Sequence, residues 1–361
     1  MKGNAGTAMQ NRKVFFIPKN HEYVRKLKQH LEENGVSVVL LKPFHYSSFT
    51  NLLKIVYFRL KGYRIIHVHW LYIFPFGFMM KGFYYFCKGL GIKVVWEMHN
   101  ILPHGYAEND KNNCRWFYEK VDAIIFHSRH DIRRAKDLLE TNTDKVHTII
   151  PHGNFNESYE NTISKEEARK HLNIPDDSRT LLCFGFIRKN RGYEYLIEAV
   201  KDMKSTYVVI AGKLEDKDVY RDLLAYEKRL PQLRLFVKWI PDGEIQYYFN
   251  ACDIVILPYT DITTSGVVPL AYAFSRPVIT TNIGGMKDIV NEDTGILVPP
   301  GDVAALRSAI HEVFKKEYEQ MGRNAFRYAE TKFSWESSAR AVKGLYLSLL
   351  EPKDVFEELT T

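Results

Sequence analysis

Short runs of β-branched and aromatic residues alternate with helical patterns through most of the chain, and this alternation constrains the fold more than any other feature. In the first half, it predicts strands at Val14–Ile17, Val36–Leu41, Arg64–His69, Lys93–Met98, Ala123–His127 and Val146–Ile150. It predicts helices around Tyr23, Leu27 and Leu31 and over Asn51–Lys61, Pro75–Leu90 and Asp131–Leu139. A repeat of strand, helix and strand forms a parallel sheet that is covered by helices on both faces.

The alternation starts again after Asn154–Ser164, a polar and turn-rich stretch that we interpret as a linker. The second half predicts strands at Thr180–Phe184, Tyr207–Ala211, Leu235–Val237, Ile254–Leu257 and Pro277–Thr280, with helices at Tyr193–Lys201, Val219–Leu230 and Val303–Phe314. A length of 361 residues also favours two domains over one. The sequence therefore predicts an α/β protein with a disordered start (1–12) and two Rossmann-like domains (13–160 and 161–332). We expect these to face each other across a cleft, with ligands at the carboxyl ends of the strands.

The composition is that of a globular protein, with 45% hydrophobic and 26% charged residues. No run of 18 uncharged apolar residues occurs, so a transmembrane helix is not expected, and the first residues do not resemble a secretory signal. The four cysteines lie far apart in the sequence, which predicts reduced thiols, a cytoplasmic location and no structural zinc.

Charge is distributed unevenly between the two halves: the net charge is +11 for residues 1–150 and −4 for residues 151–361. A basic half suggests an anionic partner, and nucleic acid, anionic lipid and a phosphorylated substrate all fit. A solvated lysine-rich surface is the simpler alternative. The helices of this half are apolar and aromatic rather than arginine-striped, which argues against a nucleic-acid-binding protein.

Two segments of the second half have the residue types of an anion site. The first, Phe184–Gly192, runs from a strand into a loop with the cations Arg188, Lys189 and Arg191, and a helix follows. Glycines let the backbone approach a ligand closely, and an arginine guanidinium can donate two hydrogen bonds to the oxygens of a phosphate. This pattern suits a diphosphate, although a flexible basic turn is a close rival.

The second segment, Leu257–Ala273, runs from a strand through a turn into a helix that begins near Val267. Thr264 or Ser265 is the expected N-cap, which would leave the N–H groups of Gly266 to Val268 to hold an anion. Taken alone, the segment fits an ordinary capped helix equally well.

In its second half the sequence resembles the family 4 glycosyltransferases, which have the architecture called GT-B. The resemblance covers nearly all of residues 180–350 and rests on an ordered set of motifs. These are the Gly-Phe-Ile-Arg loop with Arg191-Gly192, Ile210-Ala-Gly-Lys213, Asn250-Ala-Cys-Asp253, Leu257-Pro258, the Pro277-Val-Ile strand, Gly284-Gly285 with Asp288, the Gly295 turn and Phe333-Ser-Trp335. The family's last helix crosses back to the first domain, which implies such a helix at residues 333–350.

The resemblance also implies roles for donor-side residues. Arg188 and Arg191, in the loop that starts at Gly185, would neutralise the diphosphate of a sugar nucleotide, with Lys213 beside phosphate or uracil-side oxygens. The backbone around Ile240 would bind the base, and the segment Thr264, Ser265, Gly266 and Val267 would cradle the phosphates. Two departures stand out: the family usually has lysine where Arg191 stands, and its two glutamates are replaced by Ile262 and Leu270. Asp261 is a candidate replacement for the ribose-binding acid.

In the first half, Trp96–His104 resembles the family strand that ends in a functional histidine, which implies that His99 contacts the transferred sugar. A histidine satisfied at a strand end is an equal alternative from the residues alone. Trp70, Asn100 and His104 are assigned to the acceptor side. His67 and His69 would share one strand face, as a metal pair does, but no third ligand with fitting spacing is apparent, so we interpret them as packing residues.

Asp216-Lys-Asp218 has the pattern of a metal-binding pair, but it lies in a charge run that begins a helix, so we interpret the two acids as N-terminal helix residues. We expect neither a cofactor nor a catalytic metal. The reaction that the resemblance implies is transfer from a nucleoside diphosphate sugar, UDP-linked, to a carbohydrate or lipid-linked oligosaccharide, with retention of configuration. If the enzyme inverts, His99 and Glu97 are the candidate bases. A GT-B epimerase or phosphorylase is the alternative enzyme.

The basic first half also carries an aromatic stretch, Tyr72–Phe86, that is interrupted by Lys81. Most of these rings are expected to form core, but a few exposed ones beside lysines would suit an anionic membrane surface. The sequence therefore predicts a cytoplasmic protein with a peripheral, salt-sensitive membrane association.

Overall fold

The computed structural model describes residues 13–18, 21–42, 49–71, 74, 77–102, 108–151, 153–156, 158–262 and 264–350. The predicted disordered start and His104 lie outside these ranges. The described residues form two compact units. The N-terminal unit comprises those within Met1–Gly153 and Trp335–Thr361, and the C-terminal unit is Asn154–Ser334.

The described residues contain twelve strands and fourteen α-helices, which are numbered in chain order. The strands are β1 Lys13–Ile17, β2 Ser37–Leu40, β3 Ile65–Val68, β4 Lys93–Glu97, β5 Ala123–Phe126, β6 Val146–Ile149, β7 Arg179–Phe184, β8 Thr206–Gly212, β9 Leu233–Val237, β10 Ile254–Leu257, β11 Val278–Thr281 and β12 Gly295–Val298. The helices are α1 Glu22–Glu33, α2 Phe49–Leu60, α3 Gly77–Gly89, α4 Glu108–Lys120, α5 Arg129–Leu139, α6 Lys165–Leu172, α7 Tyr193–Val200, α8 Lys217–Glu227, α9 Ile245–Ala251, α10 Val267–Ala273, α11 Met286–Ile289, α12 Val303–Lys315, α13 Tyr318–Lys332 and α14 Trp335–Leu350. No helix in the described part of the chain is long and apolar enough to cross a membrane.

The N-terminal unit is a parallel six-stranded sheet in the order β2-β1-β3-β4-β5-β6. Successive residues of a strand point to opposite faces, so each strand contributes to two cores. One core packs Phe15, Ile66 and Trp96 with residues of α2 to α5. The other packs Phe16 and Val95 with residues of α1 and α14. The C-terminal helix α14 thus completes the unit that begins at the other end of the sequence.

The C-terminal unit is a second parallel sheet, in the order β12-β11-β10-β7-β8-β9. Residues of α6, α9, α10 and α13 lie in the core on one face of the sheet, and residues of α7, α8 and α12 in the core on the other. The strand order reverses at β7, since β8 pairs with it on one side and β10 on the other. The carboxyl ends of β7 and β10 therefore lie at the position where open α/β sheets bind ligands.

The prediction of two Rossmann-like α/β domains is confirmed. Helices α4, α6, α9, α11 and α13 were not predicted, and Gly295, expected in a turn, begins the edge strand β12. A Cβ atom on Gly295 would lie 2.1 Å from the Val278 carbonyl oxygen, so glycine is required there by the close approach of the neighbouring strand.

Candidate functional site

The loop after β7 is shaped by two glycines with positive φ angles. Gly185 has φ +111° and Gly192 has φ +66°, conformations that favour glycine. A Cβ atom on Gly192 would lie 2.0 Å from the carbonyl oxygen of Pro258, so a side chain there would displace the segment after β10. A Cβ on Gly185 would lie 3.1 Å from Nη2 of Arg191 and 3.7 Å from Val267. The two sequence segments predicted to bind an anion are therefore in direct contact.

Arg191 is held in a fixed orientation by its neighbours. Its guanidinium donates through Nη1 to the Tyr259 hydroxyl at 2.6 Å and through Nε to the Phe186 carbonyl at 3.0 Å. The guanidinium also lies over the Tyr259 ring, 5.0 Å from its centroid. The Tyr259 hydroxyl lies 2.9 Å from Oγ of Ser265, which accepts a hydrogen bond from the Val267 N–H. A chain of polar contacts thus connects the arginine loop to the start of α10.

Arg188 brings a second cation to this loop. It forms an ion pair with Glu215, with Nη1 and Oε2 separated by 3.7 Å. Burial and the nearby charge of Arg191 lower the pKa of Arg188, while Glu215 acts in the opposite direction. Two partly buried guanidinium groups repel each other, and an anion with two negative phosphates would relieve that repulsion.

The other predicted donor residues have different positions. Asp261 is close to the loop, because its carbonyl accepts from Nδ2 of Asn190 at 2.7 Å. Lys213 follows β8, with an exposed side chain and a backbone carbonyl that accepts from the Ile187 N–H at 2.8 Å. Ile240 is buried and follows the edge strand β9, two strands away from β7.

The predicted capping of α10 needs correction. Gly266, rather than Thr264 or Ser265, occupies the N-cap position. The N–H of Val267 is donated to the Ser265 side chain, so it does not hold an anion in this arrangement. The reason is local: a serine side chain can accept a hydrogen bond from the backbone N–H group two residues later.

Asp216 is the N-cap of α8, and its Oδ1 accepts from the N–H groups of Asp218 and Val219. The two acids lie at a helix start as the sequence predicted. They also line a cavity of about 390 Å³ beside α7 and α8, together with Glu194 and Asp222. Four acidic side chains would repel a diphosphate, so this cavity is not the donor site.

A buried polar cluster occupies the N-terminal unit around Glu97, which is fully buried at the end of β4. Its Oε2 lies 2.8 Å from Nδ1 of His69 and 3.1 Å from Nε2 of His67, and its Oε1 accepts from the Tyr23 hydroxyl. Burial acts to raise the pKa of Glu97, but His99, His69 and His67 outweigh it and hold that pKa well below its usual range. Glu97 is thus a third candidate ligand beside His67 and His69, which their sequence spacing did not reveal.

His99 follows β4 and is turned toward this cluster. Its Nδ1 lies 3.0 Å from Nε2 of His127, whose Nδ1 lies 3.0 Å from the Ile150 carbonyl oxygen. A carbonyl only accepts, so Nδ1 of His127 carries the hydrogen. In a neutral His127, Nε2 must then accept, and Nδ1 of His99 donates. Trp70 stacks on the His99 ring at 4.4 Å, which brings these two predicted residues together, whereas Asn100 is exposed just beyond them.

Sequence reasoning missed the way Glu97, His127, Tyr23 and Tyr346 combine with the predicted histidines. One signal was present: Glu97 follows the apolar residues Val94–Trp96 of β4, and His127 follows the neighbouring strand β5 at the same edge of the parallel sheet. The carboxyl ends of adjacent parallel strands lie at the same edge of the sheet, so Glu97 and His127 are expected to lie near His99.

Several known proteins that are similar to this chain are glycosyltransferases. Residues 164–328 match the family model described as "Glycosyl transferases group 1". An uncharacterized glycosyltransferase of Methanocaldococcus jannaschii is 26% identical over 226 residues, which are 59% of this chain and 57% of that protein. The O-antigen chain mannosyltransferase C of Escherichia coli is 26% identical over 243 residues, 66% of this chain and 63% of that protein. The aligned regions thus span 57% and 63% of these relatives.

Among solved structures, Anabaena Alr3699/HepE in complex with UDP has a TM-score of 0.71 to this chain, at 15% identity. The match covers 93% of this chain and 100% of that one, and at this identity it shows the fold. The resemblance to GT-B glycosyltransferases is confirmed in the fold, and residues 164–328 are similar to the group 1 glycosyl transferases.

Proposed function

We propose that the chain transfers a sugar from a nucleoside diphosphate sugar, UDP-linked, to an acceptor hydroxyl. The observation that carries this proposal is the pair Arg188 and Arg191 at the carboxyl end of β7, where the strand order reverses. The name of the Anabaena complex supports UDP as the nucleotide, and the name of the E. coli relative supports a role in building a surface polysaccharide.

In this proposal, Arg191 and Arg188 bind the diphosphate and stabilise the charge that develops on it as the sugar leaves. The Tyr259 hydroxyl and the Phe186 carbonyl hold the Arg191 guanidinium before the donor binds, so little reorganisation accompanies the reaction. Metal-independent transfer remains part of the proposal, since two guanidinium groups supply the positive charge.

Retention of configuration, with the leaving phosphate helping to remove the acceptor proton, is the proposed stereochemical course. His99 contacts the transferred sugar, and Trp70, Asn100 and His104 belong to the acceptor side. An inverting course needs a general base that reaches the acceptor. Glu97 is fully buried and engaged by Tyr23 and His69, so among the described candidates His99 alone would remain for that role.

A panel of UDP-, GDP- and ADP-sugars in a thermal-shift assay tests the donor assignment, because a ligand that binds the native state raises the melting temperature. We expect UDP-sugars to give the largest shift, and Arg191→Ala to abolish it. Lys189→Ala is the matched control, since Lys189 lies in the same loop but lines the acidic cavity. Equal shifts in both variants would refute the assignment of Arg191.

The acceptor is proposed to be a lipid-linked oligosaccharide, reached from the cytoplasmic face of an anionic membrane. Helix α2 exposes an apolar stripe at helical spacing, formed by Leu53, Val56, Tyr57 and Leu60, and Leu60 is 85% exposed. On α3, Phe78 and Tyr85 are exposed, whereas Phe83 and Tyr84 belong to the core. Both helices cover the same face of the sheet.

Exposed lysines flank these apolar residues, namely Lys54 and Lys61 on the α2 side and Lys81 on α3. Apolar side chains beside lysines suit the headgroup region, where each basic residue contributes about 1 kcal/mol on anionic lipid. Co-sedimentation with vesicles should rise with the anionic lipid fraction and fall with salt. The double variant Leu60→Ser with Phe78→Ser should lose binding, while Leu224→Ser, on α8 of the other unit, should keep it. Absence of binding at low ionic strength would favour a soluble acceptor.

A further inference from the structure

The buried cluster of the N-terminal unit contains a set of side chains with the chemistry of a metal site. His67 and His69 stand two residues apart at the end of β3, so they lie on one face of the sheet. The register pairs His67 with Val95, which places Glu97, on the adjacent strand, beside His69 on that same face. Oε2 of Glu97, Nε2 of His67 and Nδ1 of His69 all lie within 4.8 Å of one another.

The geometry of these contacts is more informative than the distances alone. Although Oε2 is 2.8 Å from one imidazole nitrogen and 3.1 Å from the other, neither contact has the angle of a hydrogen bond. The three atoms therefore attract one another as ion-pair partners, but none of them makes a well-directed hydrogen bond within the described part of the chain. Poorly directed contacts between buried polar atoms leave part of their desolvation cost unmet, and a cation placed between the two nitrogens and the carboxylate oxygen would offset that cost.

The outer atoms of the same side chains are engaged. Nδ1 of His67 lies 2.7 Å from the Tyr346 hydroxyl, which is on α14, and Oε1 of Glu97 accepts from Tyr23 on α1. Metal-binding imidazoles and carboxylates are usually oriented in this way by partners on their far side. When Nδ1 of His67 donates to the Tyr346 oxygen, Nε2 presents its lone pair toward Glu97.

We propose that Glu97, His67 and His69 bind a divalent transition-metal ion of the zinc type. Two imidazoles and one carboxylate favour zinc and its neighbours over calcium or magnesium, which prefer all-oxygen sites. Three protein ligands are the number found where one coordination position stays exchangeable. The ion would connect β3 and β4 directly and α1 and α14 through the two tyrosines, so its effect would be on the stability of this unit. The inference is independent of the donor site, which is in the other unit.

Metal content tests the proposal without any assay of activity. Tag-free protein would be expressed in minimal medium with zinc or cobalt, since a buried site is loaded most readily during folding, then passed over chelating resin and analysed for metal. We expect about one ion per chain in the wild type, with the visible absorption of low-symmetry cobalt in the cobalt form. His69→Gln and His67→Gln should each retain less than about a tenth of that content.

The matched control is His30→Gln, because His30, Glu33 and Glu336 form a second group of the same residue types near the surface. That variant should keep the wild-type metal content and melting temperature. Wild-type protein that holds no metal under these conditions would overturn the proposal, as would a folded His69→Gln protein with unchanged metal content. If the cluster variants fail to fold, as judged by circular dichroism, the metal content and cobalt spectrum of the wild type and His30→Gln decide the question alone.

Discussion

Removal of the Tyr259 hydroxyl is the sharpest test of how the donor site is held together. Tyr259 is fully buried, accepts from the Arg191 guanidinium at 2.6 Å and contacts Ser265 at 2.9 Å. Tyr259→Phe keeps the ring beneath the guanidinium and removes both polar contacts. A hydrogen bond with a charged group is worth about 1.5–3 kcal/mol and a neutral one about 1 kcal/mol. We therefore expect a loss of about 3 kcal/mol in the free energy of unfolding.

The same change should weaken UDP binding, because Arg191 loses a partner that fixes its direction. A loss of about 1.4 kcal/mol in binding corresponds to a tenfold rise in Kd, which calorimetry measures directly. Tyr272→Phe is the matched control. Its hydroxyl is also buried and bonded, to the Ile289 carbonyl and to Thr294, but it has no contact with the arginine loop. A Tyr259→Phe protein that is destabilised as much as Tyr272→Phe, with UDP affinity within twofold of wild type, would refute the reasoning.

Three further predictions concern the reaction. Arg188→Ala and Arg191→Ala should each slow transfer at least about 100-fold, and turnover within a few-fold of wild type in both would remove them from the site. Both variants should still fold, although Arg191→Ala should lower the melting temperature because it also removes the hydrogen bonds to Tyr259 and Phe186. His99→Ala should lower turnover with UDP affinity unchanged by calorimetry; a parallel collapse of UDP affinity would contradict its assignment to the sugar. Added magnesium or manganese should not raise the transfer rate, and a strong stimulation would restore a catalytic role for Asp216 and Asp218.

The fold was predictable because the spacing of the hydrophobic residues and the positions of the turn residues indicate the same strands and helices along most of the chain. Strands that were found, such as β5 and β10, are continuous apolar runs, which are typical of buried parallel strands. The helices that were missed lack that agreement. Helix α4, for example, begins with the polar run Glu108–Asn113 and buries its apolar residues only later, so local propensity does not reveal it.

The site was only partly predictable, for a different reason. Arg188 and Arg191 could be found because one short segment carries both cations and the glycines that position them. The network around Glu97 depends on strands β3, β4 and β5 lying side by side, and on a tyrosine of α14 that is 279 residues from His67. Contacts between residues so distant in sequence follow from strand order, which a single sequence does not specify. The capping of α10 depended on a side-chain rotamer of Ser265, which no sequence pattern determines.

The position of α14 has a consequence for how the protein is made. The ring of Trp335 lies so close to Gly153 that a Cβ on the glycine would be 2.2 Å from it, and Val342 and Leu345 pack with Leu27 and Leu31 of α1. A ribosome delivers α1 first and α14 last, so one side of the first sheet stays uncovered while the whole C-terminal unit, Asn154–Ser334, is synthesised. The second unit can therefore finish folding before the first. Expression of the N-terminal unit by itself requires residues 335–350 to be joined after Gly153, and a chain ending at Ser334 should expose that apolar face and aggregate.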